Sequence, residues 1–177
     1  MTTVQVPRAE LDRYKVDQGR SLLDLSQEHP VMLVFLRHLG CVFCREALRD
    51  ISSQKQEIEG KGVKLVLIHM EADEVASGML ARYGLDEVWH LADPDCELYR
   101  QFGLAKGSIS QLFGLRTLVR GVQQGITFQQ FGGSSLGDSF QMPGVFIIDK
   151  GQVAAEYIHR TVSDRPDYFD LAACCTI

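Results

Sequence analysis

No apolar run in the chain approaches the ~20 residues needed to cross a bilayer as a helix, so an integral membrane protein is not expected. The start, Met1-Thr-Thr-Val-Gln-Val-Pro-Arg8, lacks both the basic opening and the apolar core of a secretory signal, which makes a reducing, cytoplasmic compartment the expectation. A basic excess is missing too. The chain carries 18 Lys and Arg against 23 Asp and Glu, a net charge of -5, which argues against a nucleic-acid partner. The five cysteines, at 41, 44, 96, 174 and 175, are odd in number and irregular in spacing, so a secreted disulfide framework is not expected either. What remains is a globular composition, 45% hydrophobic and 23% charged in 177 residues, long enough for one well-cored domain and short for two. The chain is read as a single domain, 1–177.

What is there is one Cys-x-x-Cys. Cys41-Val-Phe-Cys44 lies between an apolar strand, Val31 to Leu36, and an amphipathic segment that begins at Arg45, which places both thiols in the first turn of a helix. There the unpaired backbone N–H groups and the positive end of the helix dipole favour a thiolate, and the i, i+3 spacing puts both sulfurs on one side. A free thiol of pKa ~8.5 is about 3% ionised at pH 7, and a fall of two units makes it roughly three-quarters nucleophile. Arg37, His38 and Arg45 surround the pair and push the same way, or else form an ordinary solvated rim; a cation at a helix start, as at Arg45, is itself slightly unfavourable. Three readings of the pair stay open. Cys41 is an exposed attacking thiolate and Cys44 a more buried resolving thiol; or His38, Cys41 and Cys44 are a zinc half-site that lacks a fourth ligand; or both thiols are inert and structural.

Along the chain, residues 1–20 are mixed and polar, and Ser21 can cap a short helix ending before Pro30. The apolar run from Val31 is a central strand, followed by a CxxC helix to about Glu59 that Gly60 stops. Val63 to Ile68 is a second strand. Ala72 to Tyr83 is a second helix carrying Val75, Met79 and Leu80, and Val88 to Leu91 is a third strand. Cys96 follows the Asp93-Pro-Asp turn and opens a short helix, either as an auxiliary thiol or as a small capping or buried residue. Ser108 can cap a helix to 122, with Arg116 and Arg120 on its polar side, that serves as a lid, a homodimer face or plain core cover; 123–141 reads as a long glycine-rich loop. After Met142-Pro143, Val145 to Ile148 and Val153 to Ile158 form a hairpin, and Asp167 to Ala173 is a short helix at best. The fold class is α/β, a mixed central sheet flanked by helices. A strand, CxxC on a helix, βα, then a proline just before a hairpin strand is the order of the thioredoxin-like fold. It has a core of about 20–160, a helical and loop insertion at about 105–141 before the last hairpin, and a tail at 161–177.

Phe35-Leu-Arg-His-Leu-Gly-Cys-Val-Phe-Cys-Arg-Glu46, Leu91-Ala-Asp-Pro-Asp-Cys-Glu-Leu-Tyr-Arg-Gln-Phe-Gly103 and Gly144-Val-Phe-Ile-Ile-Asp149 together resemble the peroxiredoxin-like branch of the alkyl hydroperoxide reductase/thiol-specific antioxidant superfamily over roughly residues 20–160. That branch includes the prostamide/prostaglandin F synthases and CxxC proteins of poorly defined activity. True peroxiredoxins carry Pro-x-x-x-Thr/Ser-x-x-Cys, and the matching positions here are Val34 and His38. Their arginine three residues before the strand phenylalanine is replaced by Pro143. The resemblance therefore implies a slow peroxidase, because those two groups hold and polarise the peroxide. Pro143 instead matches the cis proline that packs on the CxxC of thioredoxins, with Met142 beside it.

The resemblance implies an antioxidant thiol–disulfide oxidoreductase working through Cys41 and Cys44. Arg37, His38, Arg45, Met142 and Pro143 support the pair. No bound cofactor or metal is expected; electrons come from thioredoxin, glutathione or a similar dithiol donor, and the substrate is a disulfide or a peroxide. The alternatives are a reductase of hydroperoxides or prostaglandin endoperoxides and, from another class, a redox-sensing binding module without turnover. Cys174 and Cys175 stand as a mobile redox centre, a prenylation-like end or bystanders.

Overall fold

The computed structural model describes residues 4–16, 19–39, 41–108 and 140–173. The helix expected at 108–122, most of the insertion at 105–141, and Cys174 and Cys175 lie outside them.

In chain order the elements are α1 (Arg8–Arg13), α2 (Leu22–Glu28), β1 (Val31–Phe35), α3 (Val42–Gly60), β2 (Lys64–His69), α4 (Asp73–Ala81), β3 (Trp89–Ala92), α5 (Glu97–Gln101), β4 (Gly144–Asp149), β5 (Gln152–Ile158) and α6 (Tyr168–Ala173). The five strands form one sheet in the order β3-β2-β1-β4-β5. β1, β2 and β3 run parallel, β4 is antiparallel to β1, and β5 is antiparallel to β4. This is the mixed sheet that the βαβ pattern and terminal hairpin predict.

Successive strand residues point to opposite faces, and both faces are covered. Met32, Val34, Leu65, Leu67, Val145 and Ile147 pack under α3, α4 and α6, while Val31, Leu33, Phe35, Val66, Ile68, Phe146 and Ile148 pack under α1, α2 and α5. All five residues of β1 are therefore buried, which is why the strand reads as a continuous apolar run rather than an alternating one. At about 1.5–3 kcal/mol for each large aliphatic side chain removed from water, these two layers dominate the stability.

Local signals set the ends. Ser21 and Asp24 form a capping box, Ser21 Oγ accepting the Asp24 N–H at 3.0 Å and the Asp24 carboxylate accepting the Ser21 N–H at 2.9 Å. The hairpin turns through Lys150 at φ +50 and Gly151 at φ +74. Elsewhere the sequence reading needs correction. Helix α3 runs through Gly60, and the residue in the left-handed region that ends it is Gly62 at φ +80. The polar N-terminal stretch contains α1, whose Leu11 is fully buried. Val75 is 47% exposed, and Ala76 and Leu80 anchor α4.

Residues 161–173 of the tail are part of the packed structure. Tyr168 is buried against α3, the Phe169 N–H donates to Gln54 Oε1 at 3.0 Å, and the Arg165 guanidinium reaches back to Glu46 and Asp50 of α3.

Candidate functional site

Parallel strands β1 and β2 deliver their C-terminal ends to the same edge of the sheet, where α/β folds build their sites. The chain leaves β1 at Phe35, turns so that the Cys41 N–H donates to the His38 carbonyl at 2.9 Å, and enters α3 at Val42. The helix thus starts three residues before Arg45. Cys41 is its N-cap and Cys44 lies within its first turn.

A buried arginine holds the pair. Arg37 Nη1 stands 3.2 Å from Cys41 Sγ, Arg37 Nε donates to the Gln141 carbonyl at 3.2 Å, and the Arg37 backbone N–H donates to Cys44 Sγ at 3.3 Å. Arg37 and Cys41 are each 7% exposed and Cys44 5%, so Cys41 is more covered than an exposed nucleophile would be. Both cysteines are free thiols.

The electrostatics separates the two sulfurs. The Cys41 pKa falls from 9.0 to about 6, first because the Cys44 thiol donates a hydrogen bond to it and then because of the Arg37 charge, with the N–H groups of Cys44 and Phe43 adding to both. Burial opposes that shift without reversing it. Cys44 moves well above its ordinary value, because its proton is held by Cys41 and because it is buried. A thiolate at Cys41 beside a thiol at Cys44 is the state that nucleophilic attack and resolution each require.

The other two basic side chains expected beside the pair, His38 and Arg45, are placed differently from each other. His38 is buried with its Nδ1 lacking a hydrogen-bond partner among the described residues, and its pKa falls to about 4 through burial and then the Arg37 charge. It is neutral at pH 7 and lends Cys41 no positive charge. Nor does it join the two thiols in a cluster compact enough for a metal ion. Arg45 is exposed, as the solvated-rim reading has it. Met142 and Pro143 are both buried, and Pro143 lines a small cavity behind Cys44 with Arg37, His159 and Tyr168. No peptide bond among the described residues is cis, so the Met142–Pro143 bond is trans, unlike the thioredoxin proline it matches in sequence.

Three residues not singled out in the sequence shape the same loop. Gln141 accepts from Arg37 through its carbonyl and donates through Nε2 to the Leu104 carbonyl at 2.9 Å. Glu71, buried after β2, accepts the Leu39 N–H, and burial raises its pKa. The Tyr99 hydroxyl donates to the carbonyls of Leu36 and Ile68 at the strand ends, while the Asp93 carboxylate accepts the N–H groups of Glu97, Leu98 and Tyr99 at the start of α5. Only the Asp93-Pro-Asp turn gave a sequence signal for this scaffold. Cys96, at φ +53, is a buried N-cap residue whose Sγ donates to Met70 Sδ at 3.3 Å.

The profile of the AhpC/TSA family matches residues 3–156. The human prostamide/prostaglandin F synthase is 28% identical over 171 residues, 93% of this chain and 85% of that protein. The thioredoxin-like protein AAED1, chloroplastic, of Arabidopsis thaliana is 25% identical over 163 residues, 86% of this chain and 64% of that protein. Among solved structures, peroxiredoxin Q of Xanthomonas campestris superposes with a TM-score of 0.66 at 16% identity, over 97% of this chain and 94% of that one. At that identity the likeness concerns the fold.

Proposed function

The chain belongs to the AhpC/TSA family as a peroxiredoxin-like thiol oxidoreductase, and on that footing we propose that it reduces the O–O bond of a peroxide, with Cys41 attacking and Cys44 resolving. The observation that carries this reading is the buried Arg37 guanidinium 3.2 Å from the Cys41 sulfur. The family's own arginine position is Pro143, and Arg37, four residues before Cys41, brings a fixed positive charge to the reacting sulfur from the opposite side of the sequence. The same charge lies beside the oxygen that leaves, where it stabilises the developing alkoxide.

The Cys41 thiolate displaces one oxygen of ROOH to give Cys41–SOH, and the other leaves as RO⁻ and takes a proton to become ROH. The Cys44 thiol then attacks the sulfenic sulfur and releases water, forming a Cys41–Cys44 disulfide. A dithiol such as thioredoxin, or two molecules of glutathione, returns both thiols and is itself oxidised to a disulfide. A reducing compartment such as the cytoplasm supplies that donor. On a cyclic endoperoxide, as the prostamide/prostaglandin F synthase relatives suggest, attack leaves one oxygen on Cys41 and frees the other as alkoxide. Resolution by Cys44 then releases the second hydroxyl.

The covered Cys41 favours a peroxide oxygen over the disulfide of a folded protein, which must bring bulk to the sulfur. Stopped-flow oxidation of the reduced protein by hydrogen peroxide and an organic hydroperoxide, beside a small aromatic disulfide, tests the choice, with mass spectrometry locating the new bond. Fast peroxide consumption with a Cys41–Cys44 bridge is expected. Cys41→Ser should abolish it and Cys44→Ser should stall at the sulfenic acid. Slow peroxide with fast disulfide exchange would make the protein a disulfide reductase, and normal turnover by Cys41→Ser would remove Cys41 from the chemistry. Reversible oxidation with no turnover under any donor would make it a redox-sensing module.

A further inference from the structure

At the other side of strand β2, His69, Asp73 and His90 converge. His69 ends β2, His90 lies on the neighbouring β3 opposite Leu67, and the two therefore share a face with a two-residue offset. Asp73 opens α4 directly after the strand, and Ser77 follows one turn later. His69 Nε2 and His90 Nδ1 are 2.9 Å apart, and Asp73 Oδ1 is 3.9 Å from the first and 3.7 Å from the second.

The protons around these atoms can be counted. His69 Nδ1 lies 3.0 Å from the Glu71 carbonyl, which only accepts, so Nδ1 carries the hydrogen and Nε2 presents a lone pair to the cluster. Ser77 Oγ lies 2.8 Å from the Asp73 carbonyl and 3.1 Å from His90 Nε2; with the hydroxyl proton directed at the carbonyl, His90 Nε2 is the donor to Ser77, and with the hydroxyl turned to Nε2 the ring proton sits on Nδ1. In the first arrangement His90 Nδ1 is also a lone pair; in the second Nδ1–H donates to His69 Nε2. In the first arrangement two lone pairs 2.9 Å apart, with a carboxylate oxygen beside them, offer three ligand atoms to one cation.

We propose that His69, His90 and Asp73 form a binding site for a zinc-class divalent metal ion. A triangle with sides of 2.9, 3.7 and 3.9 Å has its centre about 2.1 Å from each corner, which matches the bond lengths of zinc to imidazole nitrogen and carboxylate oxygen. Two nitrogens and one oxygen suit a borderline ion better than magnesium or calcium, which prefer oxygen alone. The outer shell is in place: the Glu71 carbonyl fixes the His69 tautomer, and Ser77 Oγ is positioned to accept from His90 Nε2 in the metal-binding tautomer. Asp73 is 66% exposed, which leaves an entry path and room for a water as the fourth ligand. The ion would clamp β3 to β2 and to the start of α4. Through Glu71, whose carboxylate holds the Leu39 N–H, the clamp adjoins the CxxC loop without belonging to it.

The test uses the full chain with Cys41→Ser and Cys44→Ser, so that the two thiols do not compete for metal. Calorimetric titration with Zn²⁺ alone is expected to show one equivalent bound, with a rise in the thermal midpoint that a chelator reverses. Co²⁺ alone should give the visible spectrum of a nitrogen and oxygen site without thiolate charge transfer. His90→Ala and Asp73→Asn, both at the rim of the cluster, should each weaken binding by at least about tenfold. Binding that is absent in the parent, or unchanged in both rim variants, would overturn the proposal. So would imidazole nitrogen resonances that place a proton on His90 Nδ1 and do not move with Zn²⁺, since a hydrogen bond from Nδ1 to His69 Nε2 would then fill the gap.

Discussion

Two arginines with covered side chains flank the start of α3, and they face different kinds of anion. Arg165 lies against the carboxylates of Glu46 and Asp50, 9% exposed itself and with Glu46 at 7%. Arg37 lies against the sulfur of Cys41, which is an anion only if the thiol gives up its proton. The difference separates stability from reactivity. A guanidinium beside a carboxylate has a permanent partner, so its burial holds the tail and α3 together. A guanidinium beside a thiol has a conditional partner, and its burial is relieved when Cys41 ionises. The cost of burying Arg37 therefore appears as a lowered pKa next door, in addition to the hydrogen bond from Cys44.

The largest effect should come from breaking the permanent pair. Arg165→Met leaves Glu46 buried without its partner and should cost about 3–5 kcal/mol in urea unfolding. The pH profile of Cys41 alkylation should stay in place. Adding Glu46→Leu should recover most of the loss, since removing both charges is close to neutral where removing one is not. A Cys41 profile that moves with Arg165→Met would mean that the two arginines act as one field.

The conditional pair should respond in the opposite way. In the wild type, the rate of Cys41 alkylation should rise through about pH 6. Cys44→Ala should move that midpoint up furthest, because the Cys44 hydrogen bond is the largest cause of the shift, and Arg37→Met should move it up by less. Arg37→Met should also cost less stability than Arg165→Met, because Cys41 can take back its proton and become neutral. The sign with pH follows from the depressed pKa. Ionised Cys41 contributes stability that is complete above about pH 9, declines between about 9 and 6, and is absent below. Unfolding free energies at the two ends of that window should differ more for the wild type than for Arg37→Met.

What the sequence showed and hid follows the same division between local and distant causes. The strand runs, the Ser21 cap, the CxxC at a helix start and the terminal hairpin are each written in a few adjacent residues, and all were legible. Arg37 was legible as a neighbour of Cys41 but not as the charge that matters, because its direction is fixed by Gln141, 104 positions away in the chain. Glu71 and Arg165 had no signal at all, and Tyr99 stood inside the Leu91-to-Gly103 motif with no role read for it. Each acts on an element that only the fold brings near: the Leu39 N–H, the ends of β1 and β2, and the flank of α3. The histidine cluster is similar, since His69 and His90 are 21 positions apart and meet only through the parallel register of β2 and β3.

The smallest expected effect sharpens the comparison most. His38 is next to Arg37 in sequence and three residues before Cys41, and as a cation it would do the work assigned here to Arg37. Burial, aided by the Arg37 charge, instead lowers its pKa to about 4. With a pKa of about 4 the ring is neutral where Cys41 titrates, so His38→Asn should leave the alkylation midpoint near 6. A midpoint that climbs as it does in Arg37→Met would show that His38 carries a proton in the presence of the thiolate. The positive charge at the site would then be shared between two side chains, and the contrast with Arg165 would be between a fixed charge and a movable one. With the midpoint unmoved, one guanidinium supplies all of the side-chain charge at the sulfur, and the imidazole beside it is there to fill space.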